Sequence, residues 1–314
     1  MTPFNRVFRN RVALCGVVAL ILAASDARAE SEPVKAAKTA TRVPRSKASP
    51  STAAAPVVSV EEGLQQSKKS PKDPNAYLSL GGAYRRAGQY QEAVDTYKKL
   101  LAFAPNNSVA HVSLGAAYMD LKRPDDAERE FRRALKLNPA DPAAHYNMGN
   151  FYIAKGRRDD ALSEFRRATE LPPPIADAWV SLGLIQAELG KQEEATQEYK
   201  KAFAIDSTNV RAVTNLANGM YAQGKVPEAT ALYRKALQYD ANNQEANYNM
   251  GVAFADAQIF KQALAYWKRV VEIDSTSTVG ESAKSSIQIL EDFLSSQQGK
   301  TVQQSPSGVT IEKH

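Results

Sequence analysis

One cysteine, three histidines and two tryptophans among 314 residues leave little material for metal or nucleophile chemistry. The lone thiol, Cys15, lies inside the apolar run from Val12 to Ala24. If that run is removed with a leader, no thiol remains, which excludes disulfides and cysteine-ligated metals and makes an oxidising compartment harmless. A lipid-modified cysteine needs a small residue before it, and Leu14 stands there instead. Long apolar stretches are also missing: the run is about 13 residues, against roughly 20 for a bilayer span.

Charge of one sign is scarce where it would matter. The net charge is +6, but the first 57 residues hold nine of the 40 Lys and Arg and only three of the 34 Asp and Glu. The rest is balanced, so nothing in the charge supports a nucleic-acid partner, which favours a basic domain. No phosphate loop, nucleophile elbow or HExxH occurs. His111 and His145 stand 34 residues apart in one slot of a repeat and read as packing residues between helices. No catalytic residue, metal or cofactor is therefore expected, and the chain does not read as an enzyme.

What is present begins with a leader. Arg6, Arg9 and Arg11 precede the apolar run, and Ala27-Arg28-Ala29 follows it. That order of positive head, short apolar middle and small-residue end predicts a secretory signal peptide over 1–29, cleaved after Ala29. The mature protein is then periplasmic or secreted. Residues 30–57 are rich in Ala, Pro and Lys, with Pro33, Pro44, Pro50 and Pro56 interrupting any helix. Such a segment buries too little apolar surface to offset its ordering entropy and reads as a disordered tether.

From residue 74 the chain repeats itself six times at an interval of 34, over 74–107, 108–141, 142–175, 176–209, 210–243 and 244–277. Leu80-Gly81, Leu114-Gly115, Met148-Gly149, Leu182-Gly183, Leu216-Ala217 and Met250-Gly251 share one slot. Ala93, Ala127, Ala161, Ala195, Ala229 and Ala263 share a second. Tyr97, Phe131, Phe165, Tyr199, Tyr233 and Trp267 share a third. A fixed period of this length signals units that bury their apolar faces against neighbours. Within the third unit, His145, Met148, Gly149 and Tyr152 make one helical stripe, and Ala161, Phe165 and Ala168 a second. Gly156 ends the first helix, as do Gly88, Gly190 and Gly224 elsewhere. Burying one such aromatic is worth about 1.5–3 kcal/mol, so six copies form a continuous core.

These slots resemble the tetratricopeptide repeat: a large residue, Leu-Gly, an aromatic, Ala, an aromatic, Ala and Pro at set offsets. The third unit matches with His145, Met148, Gly149, Tyr152, Ala161, Phe165, Ala168 and Pro173. The fourth has Gln186 for an aromatic, and the fifth and sixth have Val213 and Asn247 for the large residue. The resemblance implies an all-α solenoid, a right-handed superhelix of six helix pairs. A half-unit helix over 58–73 leads it, a capping helix over 278–298 closes it, and 299–314 is a disordered tail.

The resemblance further implies a concave groove lined by the first helix of each pair, binding an extended peptide or protein segment. Tyr146, Asn147 and Asn150, then Asn215, Asn218 and Tyr221, then Tyr248 and Asn249 are its candidate contacts. Asparagine both donates and accepts, and tyrosine adds a flat apolar face with a polar tip. Leu78 and Gly82, Ser113, and Ala143 with Asn147 occupy the places of the family's carboxylate clamp, so a clamp for a peptide's terminal carboxylate is not expected. A second periodic feature lies on the second helices as basic doublets: Lys98-Lys99, Arg132-Arg133, Arg166-Arg167, Lys200-Lys201, Arg234-Lys235 and Lys268-Arg269. They follow acidic starts such as Asp125-Asp126, in keeping with the helix dipole. They read as a solvated outer face, or as a ridge for an anionic envelope surface. The expected function is a non-catalytic scaffold for envelope-associated assembly; the alternative is a self-associating structural array.

Overall fold

The computed structural model of the chain describes residues 58–303, with side chains through Ser296. The expected signal peptide, the tether and the tail beyond residue 303 lie outside the described residues. Every regular element among these is a helix. A leading helix, α1 (Val60–Lys69), precedes six pairs. They are α2 (Pro74–Arg86) with α3 (Tyr90–Phe103), α4 (Ser108–Asp120) with α5 (Pro124–Leu137), and α6 (Pro142–Ala154) with α7 (Arg158–Glu170). Then come α8 (Ala176–Glu188) with α9 (Gln192–Ile205), α10 (Val210–Ala222) with α11 (Val226–Tyr239), and α12 (Gln244–Asp256) with α13 (Phe260–Ile273). A last helix, α14 (Thr278–Gln303), continues five residues past the expected boundary at 298. A single glycine such as Gly299 costs a helix only about 1 kcal/mol, too little to stop it.

The two helices of a pair start by different means. First helices open on side-chain caps: Asp73, Asn107, Asp141, Asn209 and Asn243 each accept from an amide two or three residues on. These satisfy donors that the helix itself leaves orphaned. The second helices α3, α5, α7, α11 and α13 have no such cap. They follow a turn in which one residue takes the left-handed conformation, as Gly156 does at φ 73°. The next amide then reaches back five residues: Gln89 to the Tyr84 carbonyl at 2.9 Å, Arg157 to that of Tyr152 at 2.8 Å. In two pairs the left-handed residue is not glycine but Lys122 (φ 58°) or Gln258 (φ 61°).

Packing inside a pair depends on the missing side chain of the Leu-Gly slot. A Cβ on Gly149 would lie 2.5 Å from Cε1 of Phe165, so the aromatic ring occupies the space that glycine leaves. Gly81, Gly115, Gly183 and Gly251 meet the ring of their own second helix in the same way.

The described helices form two compact units: residues 58–185 with 197–206, and residues 186–196 with 207–303. In the first, Tyr97, Leu114, Tyr118, Phe131, Met148, Tyr152 and Phe165 share one core. In the second, Tyr248, Trp267, Val270, Ala283 and Leu290 form the core, the last two contributed by α14. No described helix is long and apolar enough to cross a membrane.

Candidate functional site

The candidate contacts in the second unit lie on α10 and α12, and each is already engaged in a hydrogen bond within the chain. The Asn218 amide oxygen accepts from the Tyr233 hydroxyl and from Nδ2 of Asn249, both at 2.7 Å. Its Nδ2 donates to Oε1 of Glu245 at 2.9 Å. Farther along the same two helices the Tyr221 hydroxyl donates to the Asp256 carboxylate. Asn215 ties its Nδ2 to the Arg211 carbonyl one turn back, at 2.9 Å, which turns its amide oxygen away from its own backbone. The result is a polar ladder that joins one first helix to the next and holds its side chains in fixed rotamers.

Two ionisations follow from this ladder. Burial raises the Glu245 carboxyl above its ordinary 4.5, against the opposing pull of the Asn218 bond and the Arg211 charge. Burial also lifts the Tyr233 hydroxyl well above 10, with the charge of Glu245 adding to it. The tyrosine is therefore a fixed donor throughout the physiological range.

Tyr248 departs from the expectation. It is 4% exposed, its hydroxyl lies 3.2 Å from Oγ of Ser286 on α14, and its ring packs 6.3 Å from that of Trp267. Among the described residues α14 follows the sixth pair and covers this slot, so Tyr248 is a core residue and not a contact for a partner. Val112 (8% exposed) and Val180 (0%) are buried in the equivalent slot, and Tyr146 leans on Phe165 at 5.8 Å. This slot serves packing more than recognition.

In the first unit, Asn147 bonds its Nδ2 to the Ala143 carbonyl at 2.8 Å, repeating the arrangement of Asn215. Asn150 stands half-buried on the same helix. Nearer the start, Nε of Arg85 pairs with Asp120 at 2.8 Å, and the Arg86 guanidinium donates to the Val58 carbonyl at 2.8 Å. Glu245, Asp256, Arg211 and Tyr233 were missed by the sequence reading. Their signal was available for three of them, because Arg211 and Glu245 share a slot and Asp256 shares that of Asp120.

The basic doublets are exposed at Lys98, Lys99, Arg132, Arg133, Arg166, Arg167, Lys201, Arg234, Lys268 and Arg269, and half-buried at Lys200 and Lys235. Much of the charge has local partners. Arg132 pairs with Glu128 at 2.7 Å, Lys201 with Glu198 at 3.1 Å, Lys268 with Glu291 at 3.4 Å and Arg269 with Glu272 at 3.0 Å. The Lys201 ammonium also sits 4.2 Å above the Trp179 ring. Exposed pairs of this kind are worth little, typically about 0.2–1 kcal/mol. Among the described residues no group of three or more His, Cys, Asp or Glu is placed to hold a metal ion.

Helix pairs in a 34-residue rhythm, with an amide ladder between two of the first helices, define a helical-repeat protein of the tetratricopeptide type, a class that presents surfaces to protein partners. The chain belongs to the family described as cilia and flagella-associated protein 70 C-terminal domain, whose profile matches residues 23–272. No curated protein matches it. Among solved structures it is similar to pilF of Pseudomonas aeruginosa, with a TM-score of 0.58 and 20% identity over 66% of this chain and 95% of that one. It is also similar to PilW, a type IV pilus biogenesis factor (0.54, 21%, covering 66% and 96%). A third is the Cut9–Hcn1 assembly (0.62, 13%, covering 72% of this chain and 45% of that one). At these identities the likeness is one of fold.

Proposed function

We propose that the protein is a non-catalytic scaffold that binds an extended peptide or protein segment along its first helices. In this reading it acts in the periplasm or outside the cell, after removal of residues 1–29, in the assembly of an envelope-associated complex. The observation that carries the reading is the fixing of Asn147 and Asn215. Each amide nitrogen is tied to its own helix, so each amide oxygen is held ready to accept a peptide N–H at little cost in side-chain entropy. Asn249 and Asn150 add further amides beside them. Tyr248 has no part in this surface.

The test starts from the mature chain, residues 30–314. A partner captured from envelope extract is cut into overlapping peptides, and the binding peptide is titrated against the Asn147→Ala, Asn215→Ala double variant. Neither substitution removes a partner from a buried group, so folding is preserved. A fall of at least tenfold in affinity supports the surface, whereas unchanged affinity removes it. The exposed doublets favour a second reading, docking on an anionic surface. That reading predicts salt-sensitive retention on an anionic matrix, lost when Lys99, Arg133, Arg166 and Arg234 become Gln.

A further inference from the structure

Four of the six repeats use the same slot to reach the same backbone oxygen, the carbonyl six residues earlier, just ahead of the repeat. The Tyr77 hydroxyl donates to Pro71 at 3.2 Å and Nδ2 of Asn247 to Ala241 at 3.1 Å. Nε2 of His111 lies 3.0 Å from the Pro105 carbonyl, and Nε2 of His145 lies 3.0 Å from that of Pro139. A carbonyl only accepts, so each Nε2 must carry hydrogen. Of these four, the histidines add a bond to a carboxylate: Nδ1 of His111 is 2.6 Å from Oε2 of Glu130, and Nδ1 of His145 is 2.7 Å from Oε2 of Glu164.

A neutral imidazole has one N–H, and an ionised carboxylate only accepts. Both bonds together therefore require one proton more than a neutral ring beside a carboxylate can provide. For His145 the more basic partner of the couple is the imidazole, so the proton resides there. The short separations match charge-assisted N–H to O bonds. We propose that His145 is a proton-dependent clasp. As an imidazolium ion it fastens the close of one repeat to both helices of the next, and loss of the proton releases one of the two bonds and loosens that junction.

His145 faces Glu164 on α7, and Arg167 on that helix opposes its charge. Asp159, Arg166 and Glu170 line the same shallow depression. The loop before α6 offers the Pro139 carbonyl. His111 faces Glu130 on α5, whose other acids are engaged: Asp126 with Arg123 and Arg129, and Glu128 with Arg132. For His145 burial is the largest influence and disfavours the cation, but the Glu164 bond, the Pro139 carbonyl and the Glu164 charge together outweigh it and raise the ring above 6.5. A raised histidine contributes stability that is fully present below its unfolded value near 6.5 and is lost as pH rises through its folded value.

The chain holds its own uncharged control, since Asn247 makes the carbonyl bond without a titrating group. The experiment follows the imidazole nitrogens of the full mature chain by NMR from pH 5 to 9. It also follows amide exchange at the His145 junction relative to the Asn247 junction. Protonation of both nitrogens of His145 past pH 6.5, lowered by about one unit or more in Glu164→Gln, supports the clasp. In His145→Asn the carbonyl bond is kept, and exchange at that junction should then follow the Asn247 junction at every pH. Circular dichroism confirms that both variants are folded. An unprotonated Nδ1 at pH 6, a titration unmoved by Glu164→Gln, or a junction equally pH-sensitive in His145→Asn would overturn the proposal.

Discussion

The hydroxyl of Tyr233 donates to the amide oxygen of Asn218 across 2.7 Å, so a second helix supports from below a side chain that its first helix presents. Truncating Asn218 to Ala strips a partner from the buried Tyr233 hydroxyl and from the half-buried Glu245 together. Leaving buried polar groups unpaired costs roughly 1–3 kcal/mol, so we expect a loss near the upper end in urea unfolding. Tyr233→Phe removes only the donor and should cost about 1 kcal/mol. Equal losses in the two variants would argue against a shared ladder.

Gly149 should not tolerate alanine. The added Cβ would meet Cε1 of Phe165 at 2.5 Å, and a ring wedged in the core cannot swing aside as a flexible chain end can. Overpacking of this kind costs about 1–3 kcal/mol. The thermal midpoint of Gly149→Ala reports it directly. The fifth repeat already carries Ala217 in this slot, so Ala217→Gly should not yield a matching gain.

Lys122 and Gln258 are exposed and hold positive φ at turns where the other repeats use glycine. A side chain in that conformation costs roughly 1–2 kcal/mol, partly offset by the greater freedom glycine gives the unfolded chain. Lys122→Gly and Gln258→Gly should each stabilise by about 0.5–1 kcal/mol, measured as a shift in denaturation midpoint. Since each touches a different compact unit, their effects should add.

Glu245 should make the second unit less stable as pH rises from the acid side. Its folded value is raised above 4.5 by burial, so the stability it contributes is complete below 4.5 and declines as pH climbs through the folded value. Glu245→Gln keeps an oxygen to accept from Asn218 and removes the charge. We expect the variant to match the wild type in acid and to exceed it near neutrality. Parallel curves across that range would show that the carboxyl is not desolvated.

Much of the fold was legible because its signals are local and repeated. The Gly149 and Phe165 slots recur at fixed offsets, and each encodes half of a contact that a reader can join without coordinates. The Tyr248 slot misled for an equally physical reason. In the second repeat Val112 holds this slot and packs against Ala144 of the next repeat, but in the last one the neighbour is α14, whose Ser286 lies 38 residues away. Glu245 and Asp256 were overlooked because their partners, Asn218 and Tyr221, sit 27 and 35 residues distant. The charge state of His145 was equally hidden, since it follows from two acceptors 19 and six residues away that only the folded chain brings to opposite sides of one ring.

The bond from the His145 slot to the Pro139 carbonyl straddles the line at which the repeats are conventionally divided. A fragment begun at Pro142 would discard the acceptor and keep a donor with nowhere to point. A cut three residues earlier, at Pro139 rather than at the helix, keeps both partners of this bond together. Excised copies, grafts or permuted versions cut there carry their own fastening with them.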